Sequence, residues 1–322
     1  MSLRENKTDF DVIIIGGGAA GLAAALWCDD LKLNALLLES GAELGGQLLR
    51  VYNPIKNYLG RDARNGRDLR DRFLKQIGNH KFIIRLESEI GSVDLEKKEI
   101  KLETGERFSA QFLIAATGVR RRKLNVEGED DFKGRGVIES GKRNAKSVKN
   151  KRVCIIGGGD AAFENALILA ETASSVTLVH RGKSFRARAE FVGQVKSHPK
   201  IKILAETSVR KIFGSKQVEA IDFENLQTKG KFRIDTDAIL IRIGVEPNTE
   251  FLRGKIELDE NGYVKINMNC ETNIKNVFAI GDVANPLAPT ISSAVGMGAT
   301  AVKTITNYEL RIEEICFPIR NS

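Results

Sequence analysis

Gly16, Gly18 and Gly21 stand in the order G-x-G-x-x-G, and an acid, Glu39, follows 23 positions after the first of them. The chemistry of such a run belongs to the backbone. Its first glycine allows a tight turn, its second lets the main chain approach a pyrophosphate, and its third lets a helix pack closely on a strand. The helix that follows offers free N–H groups and the positive end of its dipole to the phosphates. Glu39 is placed to accept hydrogen bonds from a ribose diol. A second run, Gly157, Gly159 and Ala162, reads G-x-G-x-x-A, with Asp160 next to its second glycine. The residue 23 positions after Gly157 is His180, followed by Arg181, with Arg186 close behind. An acid at that place selects an unmodified ribose, whereas cations select a 2′-phosphate. The first site is therefore expected to hold FAD and the second NADP. One glycine run alone would be weak ground. Strand, helix, second strand and terminal acid in register make a dinucleotide site the better reading than a structural loop.

The elements that must position these groups are legible around them. Residues 12–15 form an apolar run expected to be a buried parallel strand, 19–31 an alanine-rich helix, and 35–38 a second strand ending at Glu39. Gly45 and Gly46 suggest backbone pressed against a ligand, with the Gln47 amide beside it; a plain glycine turn is the alternative. Residues 66–78 read as a charged surface helix. Alternation over 81–109, with turns at Lys97-Lys98 and Gly105-Glu106, predicts a small antiparallel meander. It leads to a buried strand at 112–118 whose end, Thr117 and Gly118, is expected near the cofactor. Residues 129–136 are charged and punctuated by glycine, as a crossing between domains would be. Residues 201–243 predict another meander closing on a buried strand, with turns near Gly214 and Gly230. Residues 276–282 then form an apolar strand ending at Asp282, whose carboxylate could bind a ribityl hydroxyl. A small-residue helix over 290–302 would press its N-terminus, at Ile291, toward a flavin ring. The expected fold is α/β, with two Rossmann-like dinucleotide-binding domains, each carrying an antiparallel meander. The NADP domain (119–243) is inserted in the FAD domain (1–118 and 244–322).

Composition bounds the function classes. The 322 residues allow about two domains, and 42% are hydrophobic, enough for ordinary cores. No apolar run approaches the ~20 residues of a membrane span, and the N-terminus lacks the apolar core of a secretory signal. Cys28, Cys154, Cys270 and Cys316 show neither C-x-x-C nor zinc spacing. Scattered thiols of this kind fit a reducing cytoplasm. The net charge of +8 favours acidic partners in general, without any nucleic-acid-binding motif. Positive charge gathers at residues 120–123 and again at Lys142, Arg143, Lys146, Lys149, Lys151 and Arg152. These are read as a basic rim for a small acidic electron carrier, with solvated linkers as the plain alternative.

The motifs together resemble the thioredoxin reductase-like group of two-dinucleotide-domain flavoproteins. The resemblance rests on GGGAAGL at 16–22, GGQL at 45–48, KNYLG at 56–60, ATG at 116–118, GGGDAA at 157–162, HRGKSFRA at 180–187, IGVEPNT at 243–249 and FAIGD at 278–282. It implies FAD contacts at Gly16, Gly18, Gly21, Glu39, Gln47, Asn57 and Asp282. It implies NADPH contacts at Gly157, Gly159, His180, Arg181 and Arg186, and a homodimer. One departure carries information. Thioredoxin reductases hold a redox-active C-x-x-C between a Gly-Arg-Gly segment and the second glycine motif. Here Gly134, Arg135 and Gly136 are present, but Ser140 and Arg143 occupy the cysteine positions. Neither forms a disulfide, so thiolate chemistry toward thioredoxin is not expected there. Bacterial ferredoxin/flavodoxin–NADP reductases of the same group lack the C-x-x-C and keep both cofactor sites. The chain is similar to them, with a short tail at 315–319 that could cover a flavin in place of their longer C-terminal arm. The expected activity is electron transfer from NADPH through FAD to ferredoxin, flavodoxin or another non-disulfide acceptor. An NADPH oxidase or diaphorase acting on oxygen, quinone or free flavin is the alternative within enzymes, and a flavin-bound regulatory protein the alternative outside them. The flavin does the chemistry, so no side chain is assigned a catalytic role.

Overall fold

The structure, a computed structural model, describes residues 9–316, with side chains through Tyr308. The expected flavin-covering tail falls outside the described residues and side chains. The chain forms two compact units, one of Met1–Arg120 with Glu246–Ser322, the other of Arg121–Val245. Each crossing lies two residues beyond the expected one. The strands at the crossings, Val119–Arg121 and Val245–Pro247, pair with each other.

In the first unit the strand Phe10–Ile15 lies parallel between Ala35–Leu38 and the far half of Arg107–Ala115. Val277–Ala279 adds parallel beyond, against Leu113, Ile114 and Ala115. One sheet face packs Val12, Ile14, Leu37, Ile114 and Phe278 against the helices Ala19–Asp30 and Ile291–Cys316. The other packs Ile13, Ile15, Leu36 and Leu113 against Val93, Ile100, Leu102 and Leu252. Coverage on both faces is why these strands are unbroken apolar runs.

The expected meander over 81–109 is only partly present. Ile83–Arg85 leaves it and joins the edge of the parallel sheet beside Ala35–Leu38. Ile90–Asp94, Glu99–Leu102 and the near half of Arg107–Ala115 are antiparallel. That last strand is nine residues long and serves both sheets, so the expected meander end and buried strand are one element. The charged helix Gly66–Ile77 is less solvated than expected: Leu69 and Ile77 are buried. Its cap, Asn65, accepts the Asp68 N–H at 2.9 Å, a contact worth about 1 kcal/mol.

The second unit repeats the plan. Its parallel strands stand in the order Ile201–Leu204, Ser175–Val179, Arg152–Ile156, Ala238–Ile241, Val137–Ile138. Ile201–Leu204 belongs to this sheet and not to the expected meander, which consists of Thr207–Gly214, Val218–Asn225 and Lys231–Asp235. The strand order reverses between Arg152–Ile156 and Ala238–Ile241, the switch point at which open α/β sheets bind ligands. Residues 129–136 do not cross between units as expected. They belong to the second, where Phe132 is buried beside Val218 and Ile221. Glu129 is buried as well, and its carboxylate accepts the Leu124 and Asn125 N–H groups at 3.2 and 2.8 Å. Among the described residues no helix is long and apolar enough to cross a membrane.

Candidate functional site

A cleft of about 490 Å³ opens in the first unit along the ends of its parallel strands. Gly16, Gly18, Glu39, Gly46, Gln47, Thr117, Gly118, Asp282 and Ile291 all line it. The three motif glycines do different work. Gly16 turns at φ +111°, and a Cβ there would lie 2.4 Å from the Ala116 carbonyl oxygen. A Cβ on Gly21 would lie 1.9 Å from the Gly16 oxygen, so this residue holds helix to strand and does not line the cleft. A Cβ on Gly18 would meet nothing nearer than the Gly46 Cα at 4.0 Å. Gly18 and Gly46 are thus facing backbone walls, as a pyrophosphate requires. Gly18 starts the helix Ala19–Asp30 with no side-chain cap, leaving first-turn N–H groups for phosphate oxygens. The residues present fit a dinucleotide.

Glu39 is fixed by two backbone bonds, Oε2 accepting from Gly17 N and Oε1 from Gly41 N, both at 2.8 Å. Oε1 also accepts from Ser40 Oγ at 3.4 Å, whereas Oε2 keeps a lone pair for a diol. Gln47 donates through Nε2 to the Val119 carbonyl at 2.6 Å, which leaves its Oε1 as acceptor. Asp282 is half-buried and makes no side-chain hydrogen bond among the described residues; burial pushes its carboxyl above the usual range. Such a group wants a donor, and a ribityl hydroxyl is one. Ile291 opens the helix Ile291–Cys316, where Thr290 Oγ1 accepts the Ser293 N–H at 3.2 Å. Asn57 is the exception. It is exposed in the loop closed by the Ile55–Ala63 bridge and is not part of the cleft wall.

Asn248 and Arg50 are among the lining residues not singled out in the sequence. Asn248 donates through Nδ2 to the Thr117 carbonyl at 2.7 Å, while Thr117 Oγ1 donates to the Asn248 carbonyl at 2.8 Å. The available signal was its place in the 243–249 motif. Arg50 is exposed at the cleft wall, and nothing in its local sequence marked it.

In the second unit Gly157 packs against Arg242, whose carbonyl oxygen would lie 2.2 Å from a Cβ on it. Gly159 would meet nothing within 4 Å, and it starts the helix Asp160–Ala170 uncapped by a side chain. Ala162 is fully buried beneath that turn. The glycine turn and uncapped helix start of the first unit are therefore repeated. Asp160 accepts from Arg188 N and Nε at 2.7 and 3.0 Å, which ties the following loop to the helix start.

His180 is set differently from the two exposed arginines that follow it. Its ring is half-buried against Phe185, with Gly158 and Gly182 brought so close that a Cβ on either would clash with it. Its Nε2 lies 3.1 Å from the Ser184 carbonyl. Burial, and secondarily the like charge of Arg181 and Arg186, holds the imidazole below its ordinary value. Arg181 and Arg186 are exposed and make no ion pair among the described residues, so they remain the candidates for a 2′-phosphate.

In the segment after residues 134–136, Ser140 caps the short helix Gly141–Asn144, and Arg143 pairs with Glu139 at 2.5 Å. Cys28, Cys154 and Cys270 are buried. Burial raises the Cys154 thiol far above its ordinary value and the Cys270 thiol to about 11, so neither ionises near neutral pH. Two of the four cations at 120–123, Arg120 and Lys123, are paired with carboxylates. Arg120 meets Glu246 at 2.8 Å and Glu250 at 2.5 Å, Lys123 meets Asp130 at 2.8 Å, and Arg122 donates to the Val245 carbonyl. Arg152 is held by Asp235 and Asp237. Lys142, Lys146 and Lys149 are exposed with no ion pair among the described residues.

Comparison with known proteins agrees with this geometry. The family described as pyridine nucleotide-disulphide oxidoreductase matches residues 10–298. A "34.2 kDa protein in rubredoxin operon" of Clostridium pasteurianum is 32% identical over 95% of this chain and 99% of its own. The thioredoxin reductase of Peptoclostridium acidaminophilum is 34% identical over 95% of this chain and 99% of its own. Among solved structures, Lactococcus lactis thioredoxin reductase in its FR conformation aligns with a TM-score of 0.81 at 29% identity, covering 94% of this chain and 100% of that one.

Proposed function

The chain belongs to the pyridine nucleotide-disulphide oxidoreductase family, and we propose that it acts as an NADPH-dependent FAD oxidoreductase whose acceptor is not a disulfide. Thioredoxin reductases use FAD and NADPH, and the first unit is assigned to FAD and the second to NADPH. FAD, when bound, supplies hydride uptake from the nicotinamide and release of electrons one at a time. The protein's part is to hold and orient. Gly18, Gly46 and the uncapped helix start seat the pyrophosphate, Glu39 the ribose, and Asp282 the ribityl chain. Gly159 and the start of Asp160–Ala170 seat the second pyrophosphate, with Arg181 and Arg186 at the 2′-phosphate.

The observation that carries the acceptor class is Ser140, a helix cap where a redox cysteine would have to stand. The acceptor is proposed to be a small acidic one-electron carrier of the ferredoxin or flavodoxin kind. The Clostridium pasteurianum relative, named for an operon shared with a small redox protein, supports a carrier. Lys142, Lys146 and Lys149 supply the docking charge. A homodimer in a reducing cytoplasm completes the proposal. The pairing of Arg120 and Lys123 with carboxylates favours a second reading, a diaphorase acting on uncharged quinones, which needs no docking charge. An anaerobic screen with NADPH as donor tests both. Ferredoxin or flavodoxin is expected to reoxidise the flavin, and thioredoxin is not. Reduction should expose no new thiols. Turnover with quinone alone would select the second reading, and turnover with thioredoxin would defeat both.

A further inference from the structure

Arg242 follows the strand Ala238–Ile241 and is buried, with 9% of its surface exposed. Its Nη1 donates to the Ile241 carbonyl at 2.9 Å and its Nη2 to the Glu139 carbonyl at 2.5 Å. No carboxylate pairs with it among the described residues. The charge acting on it is that of Arg121, of the same sign. Burial lowers its value only to about 10, so it stays protonated at neutral pH. Two carbonyls satisfy part of a fork of five N–H donors and neutralise no charge. A buried, uncompensated cation destabilises a fold unless an anion is brought to it. The two carbonyl bonds give the side chain a structural tie but leave its charge unmatched, so the anion is to be sought in a ligand.

Position says which ligand. Arg242 N donates to the Ile156 carbonyl at 2.7 Å, and its own carbonyl abuts Gly157. It therefore sits beside the phosphate turn, at the strand-order reversal that a dinucleotide straddles. Arg181 and Arg186 follow Ser175–Val179, on one side of Gly157. Arg242 lies on the other side and reaches toward Glu139, past the end of Val137–Ile138. With the adenosine 2′-phosphate at Arg181, the opposite side receives the nicotinamide half.

We propose that Arg242 is a binding residue for the nicotinamide mononucleotide half of NADPH, donating its unused N–H groups to that half's 5′-phosphate. This rests on reading the second unit as the NADPH domain.

The test separates the two halves of the ligand on the FAD-loaded protein, by calorimetric titration with NADP⁺, nicotinamide mononucleotide and 2′,5′-ADP. R242M and R242Q, the latter keeping a donor for the carbonyls, are compared with R186A. Both Arg242 variants are expected to weaken NADP⁺ and nicotinamide mononucleotide by about tenfold or more, to leave 2′,5′-ADP unchanged, and to melt no lower than the parent. R186A should show the reverse split. Unchanged NADP⁺ binding in R242M or R242Q, with R186A still losing 2′,5′-ADP, would overturn the role of Arg242 and leave the NADPH domain standing. Failure of the parent protein to bind either NADP⁺ or 2′,5′-ADP would remove the domain assignment and the proposal with it. Equal loss of all three ligands with a lower melting temperature would make Arg242 a structural residue.

Discussion

His180 shows how burial acts on what a residue type can do. In sequence it occupies the place of a ribose-binding acid and counts as a cation. In the fold it is wedged under Gly158 and against Phe185, and burial lowers its affinity for a proton. The folded state resists protonation that the unfolded chain accepts near pH 6.5. Stability is therefore full above that pH and is lost as pH falls toward the depressed value. His180→Gln should flatten that stretch of a urea-melting profile taken between pH 5 and 8. It should leave the NADPH-to-NADH preference nearly intact. Arg181→Ala should instead raise the NADPH Michaelis constant about tenfold or more, since charge-assisted contacts to phosphate are worth roughly 1.5–3 kcal/mol, and leave the NADH constant alone. Steady-state kinetics with both nucleotides at pH 6 and pH 8 read the difference. A preference that titrates near pH 6.5 and disappears in His180→Gln would restore the imidazolium as the phosphate partner.

The strand–turn–helix over residues 10–30 is one element with two kinds of glycine. Gly21 has no room for a Cβ, whereas Gly18 faces open space toward Gly46. Gly21→Ala drives a methyl into the Gly16 carbonyl and should destabilise the first unit by about 1–3 kcal/mol, as overpacking does. Gly18→Val should cost the apoprotein only about 1 kcal/mol, as an unfavourable N-cap does. It should instead abolish flavin retention, because the branched side chain fills the pyrophosphate path. Flavin absorbance per mole of protein and a urea melt of each apoprotein separate the cases. Normal flavin content in Gly18→Val would take the pyrophosphate away from this turn.

At the scale of the whole molecule, the excess of positive charge is less available than the count of +8 suggests. Arg120, Lys123, Arg143 and Arg152 are engaged by carboxylates, while Lys142, Lys146 and Lys149 are exposed without such partners among the described residues. Charge reversal at Lys142 and Lys146 should therefore raise the Michaelis constant for an acidic carrier and leave that for a neutral quinone unchanged. Carrier turnover should fall steeply with salt, since the Debye length is only about 10 Å at 0.1 M. Matching salt profiles for carrier and quinone would dismiss docking by charge.

The sequence by itself determined the parts whose signal is local. Both strand–glycine–helix units, Glu39 and the apolar strands 12–15, 35–38 and 152–156 were legible because a turn, a helix start and a doubly covered strand each impose residue types at fixed spacing. Alternation over 81–109 could not distinguish a parallel edge strand from a hairpin strand, since both have one face open; pairing across the sheet placed Ile83–Arg85 beside Ala35–Leu38. Residues 129–136 look like a linker because they are charged, yet Glu129 is buried on two backbone N–H groups supplied by residues 124 and 125. Asn248 and Arg242 lie far in sequence from the residues they touch, Thr117 and Glu139. Contacts of that separation have no periodicity to read. Only the folded chain decides which carbonyl faces which donor, and whether a charge that looks solvated in the sequence is paired, neutral or buried.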